Sequence, residues 1–218
     1  MTEDSPSNPA GARPRLIVVS APSGAGKSTL CNRLRAAHPE IVYSVSCTTR
    51  PPRGSEADGQ AYHFLSAAEF QRRVDAGEFL EHATVHGHRY GTLVRTVREA
   101  LAAGRSVLMD IDVQGAAQIR RYVLGAPEGD PLRSAFVDIF IEPPSLDALR
   151  QRLAGRNEDR PEEIERRLRN AAAEMDQRHL YRHRVVNDEL DAACRAFDAI
   201  VQRERAARGL QQEGGRGT

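Results

Sequence analysis

The 218-residue chain lacks any apolar run near the roughly 20 residues that a membrane-spanning helix needs. Its first fifteen residues hold no apolar block of the signal-peptide type, so a cytoplasmic location is expected. Neither sign of charge is in excess: 31 basic residues face 30 acidic ones, for a net charge of +1. No whole-molecule field draws such a chain to nucleic acid or to a membrane surface, and neither is expected as a partner. Cysteine is scarce. Cys31, Cys47 and Cys194 lie scattered without C-x-x-C spacing, which reads as reduced thiols and not as a disulfide framework or a metal site. Lysine is scarcer still, because 30 of the 31 basic residues are arginine and one is lysine, Lys27. A compact ammonium differs from a planar guanidinium chiefly where space is tight and a point charge is wanted, so Lys27 marks a position of that kind.

What is present fits one soluble globular domain: 40% hydrophobic and 28% charged residues, enough for a real core. Residues 1–13 and 207–218 are polar and without hydrophobic period, and are expected to be disordered tails around a domain at 14–206. Between them short apolar strands alternate with amphipathic helices. Residues 16–19 (LIVV) read as a strand buried on both faces, followed by a helix at 27–37, a strand at 41–47 and a Pro/Gly/Arg-rich loop. A smaller unit follows, with a strand at 62–65, a helix opened by the capping box Ser66-x-x-Glu69 and stopped at Gly77, and a strand at 79–85. Further helices are predicted at 93–103, 113–121, after Ser145, from Pro161 to about 181, and from Glu189 to about 205, with strands at 107–111, 136–141 and 184–187. Residues 123–134 read as a mobile loop. The alternation implies an α/β fold with a parallel sheet covered on both faces.

Ser20 is followed by Ala21, Pro22, Ser23, Gly24, Ala25, Gly26, Lys27, Ser28 and Thr29, after a buried strand and at the opening of a helix. That is the context of a P-loop. Glycines let backbone N–H groups converge on phosphate oxygens, the helix N-terminus adds its dipole, Lys27 reaches the β- and γ-phosphates, and Ser28 joins a Mg²⁺ shell. Ala21 stands where the general pattern has its first glycine.

The P-loop, the segment SVSCTTRPPRGSEADGQAYHF at 44–64, EFLEHA at 78–83, RYGT at 89–92, LMDIDVQGA at 108–116, an arginine-bearing stretch at 152–167 and VVND at 185–188 together resemble the guanylate kinases, in that family's order. The resemblance covers about residues 15–205. It implies a nucleoside monophosphate kinase fold with a parallel-sheet core, a GMP-binding unit at about 47–91 and a lid at about 152–165. It implies transfer of the γ-phosphoryl group of ATP to GMP or dGMP, with Mg²⁺ bound alongside ATP and no permanent cofactor. The oligomeric state, monomer or homo-oligomer, is not legible.

The resemblance also implies residue roles. Arg50 and Arg53, with Tyr62 and Tyr90, hold the acceptor phosphate, since guanidinium forks grip phosphate by paired charge-assisted hydrogen bonds. Glu81 chooses guanine, whose N1–H and 2-amino group are two donors on one edge that a carboxylate accepts together. Ser46 and Thr92 supply hydroxyls to the base, with ordinary strand-end and helix-cap roles as the alternatives. Asp110 lies at a strand's C-terminal end near the acceptor and the metal's water shell, with Asp112 beside it or capping a helix. Arg152, Arg156 and Arg167 close over the triphosphate, and an arginine delivered there can contribute about 10³–10⁵ in rate. Asn187 is placed near adenine or in a structural turn. His82, His86 and His88 invite a metal reading, but nothing completes a ligand set. Two rival functions remain: a kinase-inactive interaction domain of this fold, and a P-loop kinase acting on another phosphorylated acceptor.

Overall fold

The computed structural model describes residues 11–155 and 160–206. Five strands form an all-parallel sheet: β1 (Leu16–Ser20), β2 (Ile41–Tyr43), β7 (Ser106–Asp110), β8 (Phe136–Glu142) and β9 (His183–Val186), in the order β2-β7-β1-β8-β9. The central strand β1 is buried throughout, and its residues alternate between two cores. Leu16 and Val18 point to the face covered by α3 (Val94–Ala102) and α4 (Val113–Gly125). Ile17 and Val19 point to the face covered by α1 (Lys27–Ala37) and α8 (Leu190–Ala206). A strand loaded on both faces has no solvent side, which is why residues 16–19 are continuously apolar.

A second sheet has the order β4-β3-β6-β5, from β3 (Cys47–Thr48), β4 (His63–Phe64), β5 (Phe79–Val85) and β6 (His88–Leu93). It packs with α2 (Ala67–Asp75) around its own small core of Cys47, Phe70, Phe79 and Leu93, where the Phe70 and Phe79 rings stack at 4.5 Å. The predicted strand at 41–47 is therefore two strands in two sheets, parted at residues 44–46. Ser66 caps α2 by accepting from the Glu69 N–H, but the Glu69 carboxylate turns to Arg72 and Arg73 and does not close the box. The turn between β5 and β6 puts His86 and Gly87 at positive φ, which the glycine adopts without strain.

Pro161 opens α7 (Pro161–Met175), as expected, but the helix tightens into a 3-10 turn at Asp176–Leu180. α6 (Leu146–Ala154) starts at Ser145, whose hydroxyl accepts from Ala148 N–H. The supposed mobile loop at 123–134 is largely helical: α4 runs to Gly125, and Asp130 caps the short α5 (Pro131–Ala135). Val123 and Leu132 are fully buried there, and the polar spacer between them hid that from the hydrophobic pattern. The tail segments 1–10 and 207–218 lie outside the described residues. No described helix is long and apolar enough to cross a membrane.

Candidate active site

β1 and β7 pair in parallel with Val19 opposite Asp110, so the P-loop that leaves β1 and the carboxylate that ends β7 meet at one edge. Ligands of open α/β sheets gather at such C-terminal strand ends. Lys27, the first residue of α1, places Nζ 2.5 Å from Asp110 Oδ1 and donates to the Ile111 carbonyl at 2.7 Å. Ser28 donates from Oγ to Asp110 Oδ2 at 3.1 Å. Asp112 caps α4, accepting from Gly115 N–H at 2.8 Å, which settles its capping alternative.

Gly24 and Gly26 sit at φ +90° and +91°, a region L side chains rarely adopt. Their space is also taken. A Cβ on Gly24 would come within 2.9 Å of Leu153, and one on Gly26 within 2.3 Å of Asn187 Nδ2. Asn187 is buried and donates to the Ala25 carbonyl at 2.8 Å, so its amide braces the loop from behind. A cleft of about 500 Å³ opens beside the loop, lined by Gly24, Gly26, Thr29, Arg152, Gly155, Asn187, Asp188 and Leu190. Arg152 donates to the Asp188 carbonyl there at 3.1 Å. Arg167 lies 3.5 Å from Glu163 on its own helix, and Arg156 falls outside the described residues.

In the second unit Arg50, Tyr62 and Tyr90 converge, whereas Arg53 is exposed and contributes only its backbone N–H to the cluster. The buried Arg50 guanidinium lies 5.5 Å from the Tyr62 ring centre, and Tyr62 meets Tyr90 edge-on at 5.9 Å. Arg50 donates to Glu56 Oε1 at 2.9 Å, while Glu56 Oε2 accepts from the Arg53 backbone N–H at 2.8 Å. The hydrogen bond to Glu56 lifts the Arg50 pKa above its ordinary value, and the same bond lowers that of Glu56.

Glu81 sits on β5 opposite Thr92 on β6, just after an irregularity in the ladder between Phe79 and Glu81. Such a bulge re-aims a side chain. Glu81 is 8% exposed, and burial raises its pKa, with Thr92 hydrogen bonds opposing the rise and Asp112 adding to it. Ser46 Oγ and Thr92 Oγ1 stand 3.4 Å apart beside it. Thr92 belongs to β6 and caps no helix: Leu93 precedes α3, without a side-chain cap. Gly91 permits this close packing, since a Cβ there would lie 2.8 Å from Phe79 and 2.9 Å from the Glu81 carbonyl.

Three contributors escaped the sequence reading. Glu56 was visible only as part of TTRPPRGSE. Gln118 on α4 bonds both the N–H and the carbonyl of His82, at 3.0 Å each, and so fixes the strand that carries Glu81. Glu174 on α7 has its Oε2 buried without a hydrogen-bond partner, and burial raises its pKa, with Asp112 adding to this while the Ser23 N–H and Lys27 oppose it. Single carboxylates and amides on charged helices give no periodic signal. Among the described residues no cluster of His, Cys, Asp and Glu could hold a metal by itself, and the three cysteines are free. A surface hollow of about 600 Å³ between α2 and α3 lies elsewhere. Its arginines are spent on neighbours, Arg72 and Arg73 on Glu69 and Arg98 on Asp130.

A family model described as guanylate kinase matches residues 13–204. The chain is 50% identical to a guanylate kinase of Anaeromyxobacter dehalogenans over 192 residues, covering 87% of this chain and 80% of that protein. It is 44% identical to one of Paraburkholderia xenovorans over 94% of this chain and 88% of that one. A crystal structure of guanylate kinase from Anaplasma phagocytophilum is similar with a TM-score of 0.63 and 31% identity, over 90% of this chain and 88% of that chain.

Proposed function

The chain belongs to the guanylate kinase family, an ATP:GMP phosphotransferase, and on that premise we propose how its residues divide the reaction. The P-loop from Ala21 to Thr29 takes the donor phosphates of ATP, with Lys27 as the point charge on the β- and γ-phosphates. Arg50 and Arg53, completed by Tyr62 and Tyr90, take the phosphate of GMP or dGMP. Glu81 accepts from the guanine edge, with Ser46 and Thr92 supplying hydroxyls. Arg152, Arg156 and Arg167 close over the triphosphate from the lid side.

The observation that carries this reading is a pair of side-chain clusters, one at the C-terminal edge of the parallel sheet and one in the neighbouring unit. Lys27 and Ser28 both reach Asp110, and Arg50, Tyr62 and Tyr90 cluster in the neighbouring unit. Phosphoryl transfer needs positioning and charge neutralisation more than a covalent group, so no nucleophilic side chain is assigned. Asp110 orders Lys27 and Ser28 and faces the acceptor. Ser28 and Asp110 present hard oxygen atoms beside the P-loop, which suits a hard divalent cation such as Mg²⁺. Bound there with ATP, that cation would neutralise charge on the phosphates. Residues 47–91 would act as the acceptor unit and 152–165 as a lid that excludes water when closed.

A kinase-inactive interaction module of this fold would be expected to have an eroded P-loop, and here Lys27 and Ser28 are intact and ordered on Asp110. A coupled assay with GMP, dGMP, AMP, CMP and UMP tests the proposal. Turnover of the guanine nucleotides alone supports it. Turnover of AMP, CMP or UMP at a comparable rate overturns the role of Glu81, and no turnover at all returns the chain to the binding-module alternative.

A further inference from the structure

Arg50 is 6% exposed, and a guanidinium buried to that degree needs a fixed anion nearby. Glu56 is that anion. It is gripped at both oxygens, by Arg50 Nη2 at 2.9 Å and by the Arg53 N–H at 2.8 Å. The tight turn Arg53–Glu56, closed by a bond from Glu56 N–H to the Arg53 carbonyl at 3.0 Å with Gly54 at φ +52°, fixes its position. Arg50 Nη1 is also occupied, donating to the Pro51 carbonyl at 2.8 Å. The fork assigned to the acceptor phosphate is therefore already committed to a carboxylate of the same loop.

We propose that Glu56 guards the acceptor-phosphate site against free inorganic phosphate and similar tetrahedral oxyanions. The inference rests on the assignment of Arg50 to the acceptor phosphate. Any phosphate that enters must either displace Glu56 from Arg50 or sit beside a like charge, and each weakens binding. The same factor applies to the nucleotide and to the free ion. The nucleotide can spare it, because Glu81, Ser46 and Thr92 hold its base as well. The free ion has no second anchor, so the guard lifts its dissociation constant out of the range where it would occupy the site. Glu56 is thus a positioning residue with an electrostatic task, not merely a brace for the turn.

The test measures inorganic phosphate as a competitive inhibitor against GMP, together with GMP affinity, at low ionic strength. Glu56→Gln keeps an acceptor for the Arg53 N–H but removes the charge, and is expected to tighten both phosphate and GMP about tenfold. Glu56→Asp keeps the charge and is expected to bind phosphate as weakly as the parent, with thermal unfolding showing that both variants fold. Unchanged or weaker phosphate binding in the folded Glu56→Gln variant, or equal behaviour of the two variants, overturns the guard. Arg50→Lys separates the premises. If it leaves phosphate affinity unmoved, the assignment of Arg50 fails and the guard falls with it. If it weakens phosphate while Glu56→Gln does nothing, only the guard fails.

Discussion

The Lys27 ammonium lies 2.5 Å from Asp110 Oδ1, in a chain whose other basic residues are all arginine. The same nitrogen donates to the Ile111 carbonyl, so it is held between a carboxylate and a backbone oxygen. A planar guanidinium has a different length and a fixed fork, and cannot occupy that point with the same pair of contacts. Lys27→Arg, although it preserves charge, is expected to lower kcat by at least about 10²-fold. Steady-state kinetics with a thermal melt as control checks this.

The buried position proposed to read the base sets the Glu81 carboxylate against the fold. Burial raises its pKa, so ionisation works against the folded protein. The sign follows from linkage. The stability associated with the neutral form is complete below the unfolded carboxylate value of about 4.3 and is lost as pH rises through the higher folded value. Glu81→Gln is therefore expected to match or exceed the parent in stability at pH 7, by up to about 1 kcal/mol. The gap between the two proteins should close as the pH is lowered to about 4. Urea unfolding at several pH values measures it.

Gly91 is required by a neighbour's backbone and not by its own dihedral angles. The Glu81 carbonyl would stand 2.9 Å from an added Cβ, and a carbonyl in a paired strand cannot swing aside as a long side chain can. Gly91→Ala is expected to cost about 1–3 kcal/mol, the range for overpacking a tight site, and to weaken GMP binding by shifting Glu81. Denaturant unfolding paired with GMP titration tests both halves.

The parallel core was legible because its signals are strong and local. A continuous apolar run such as 16–19 means a strand covered on both faces, and Pro161 and Ser145 mark helix starts by fixed rules. The P-loop was legible because its glycines, lysine and serine need that spacing to wrap a phosphate. The break at residues 44–46 was not, since apolar alternation cannot tell that one extended segment serves two sheets. Nor was α5, where only Asp130 and Pro131 announce the helix and Leu132 and Ala135 bury its face. Within the site, the resemblance groups Arg50, Arg53, Tyr62 and Tyr90, but Glu56, Gln118 and Glu174 act through three-dimensional neighbours far from any repeating pattern.

The proposed choice of guanine by the Glu81 carboxylate is tested most directly by the purine preference of Glu81→Gln. The quantity to measure is the ratio of kcat/KM for GMP to kcat/KM for AMP, in the parent and in the variant. A site built around paired hydrogen bonds can discriminate by on the order of 10⁴-fold, and the ratio is expected to fall by at least about 10² when the carboxylate becomes an amide. A folded variant that keeps the parental ratio would contradict the assignment of the base to Glu81.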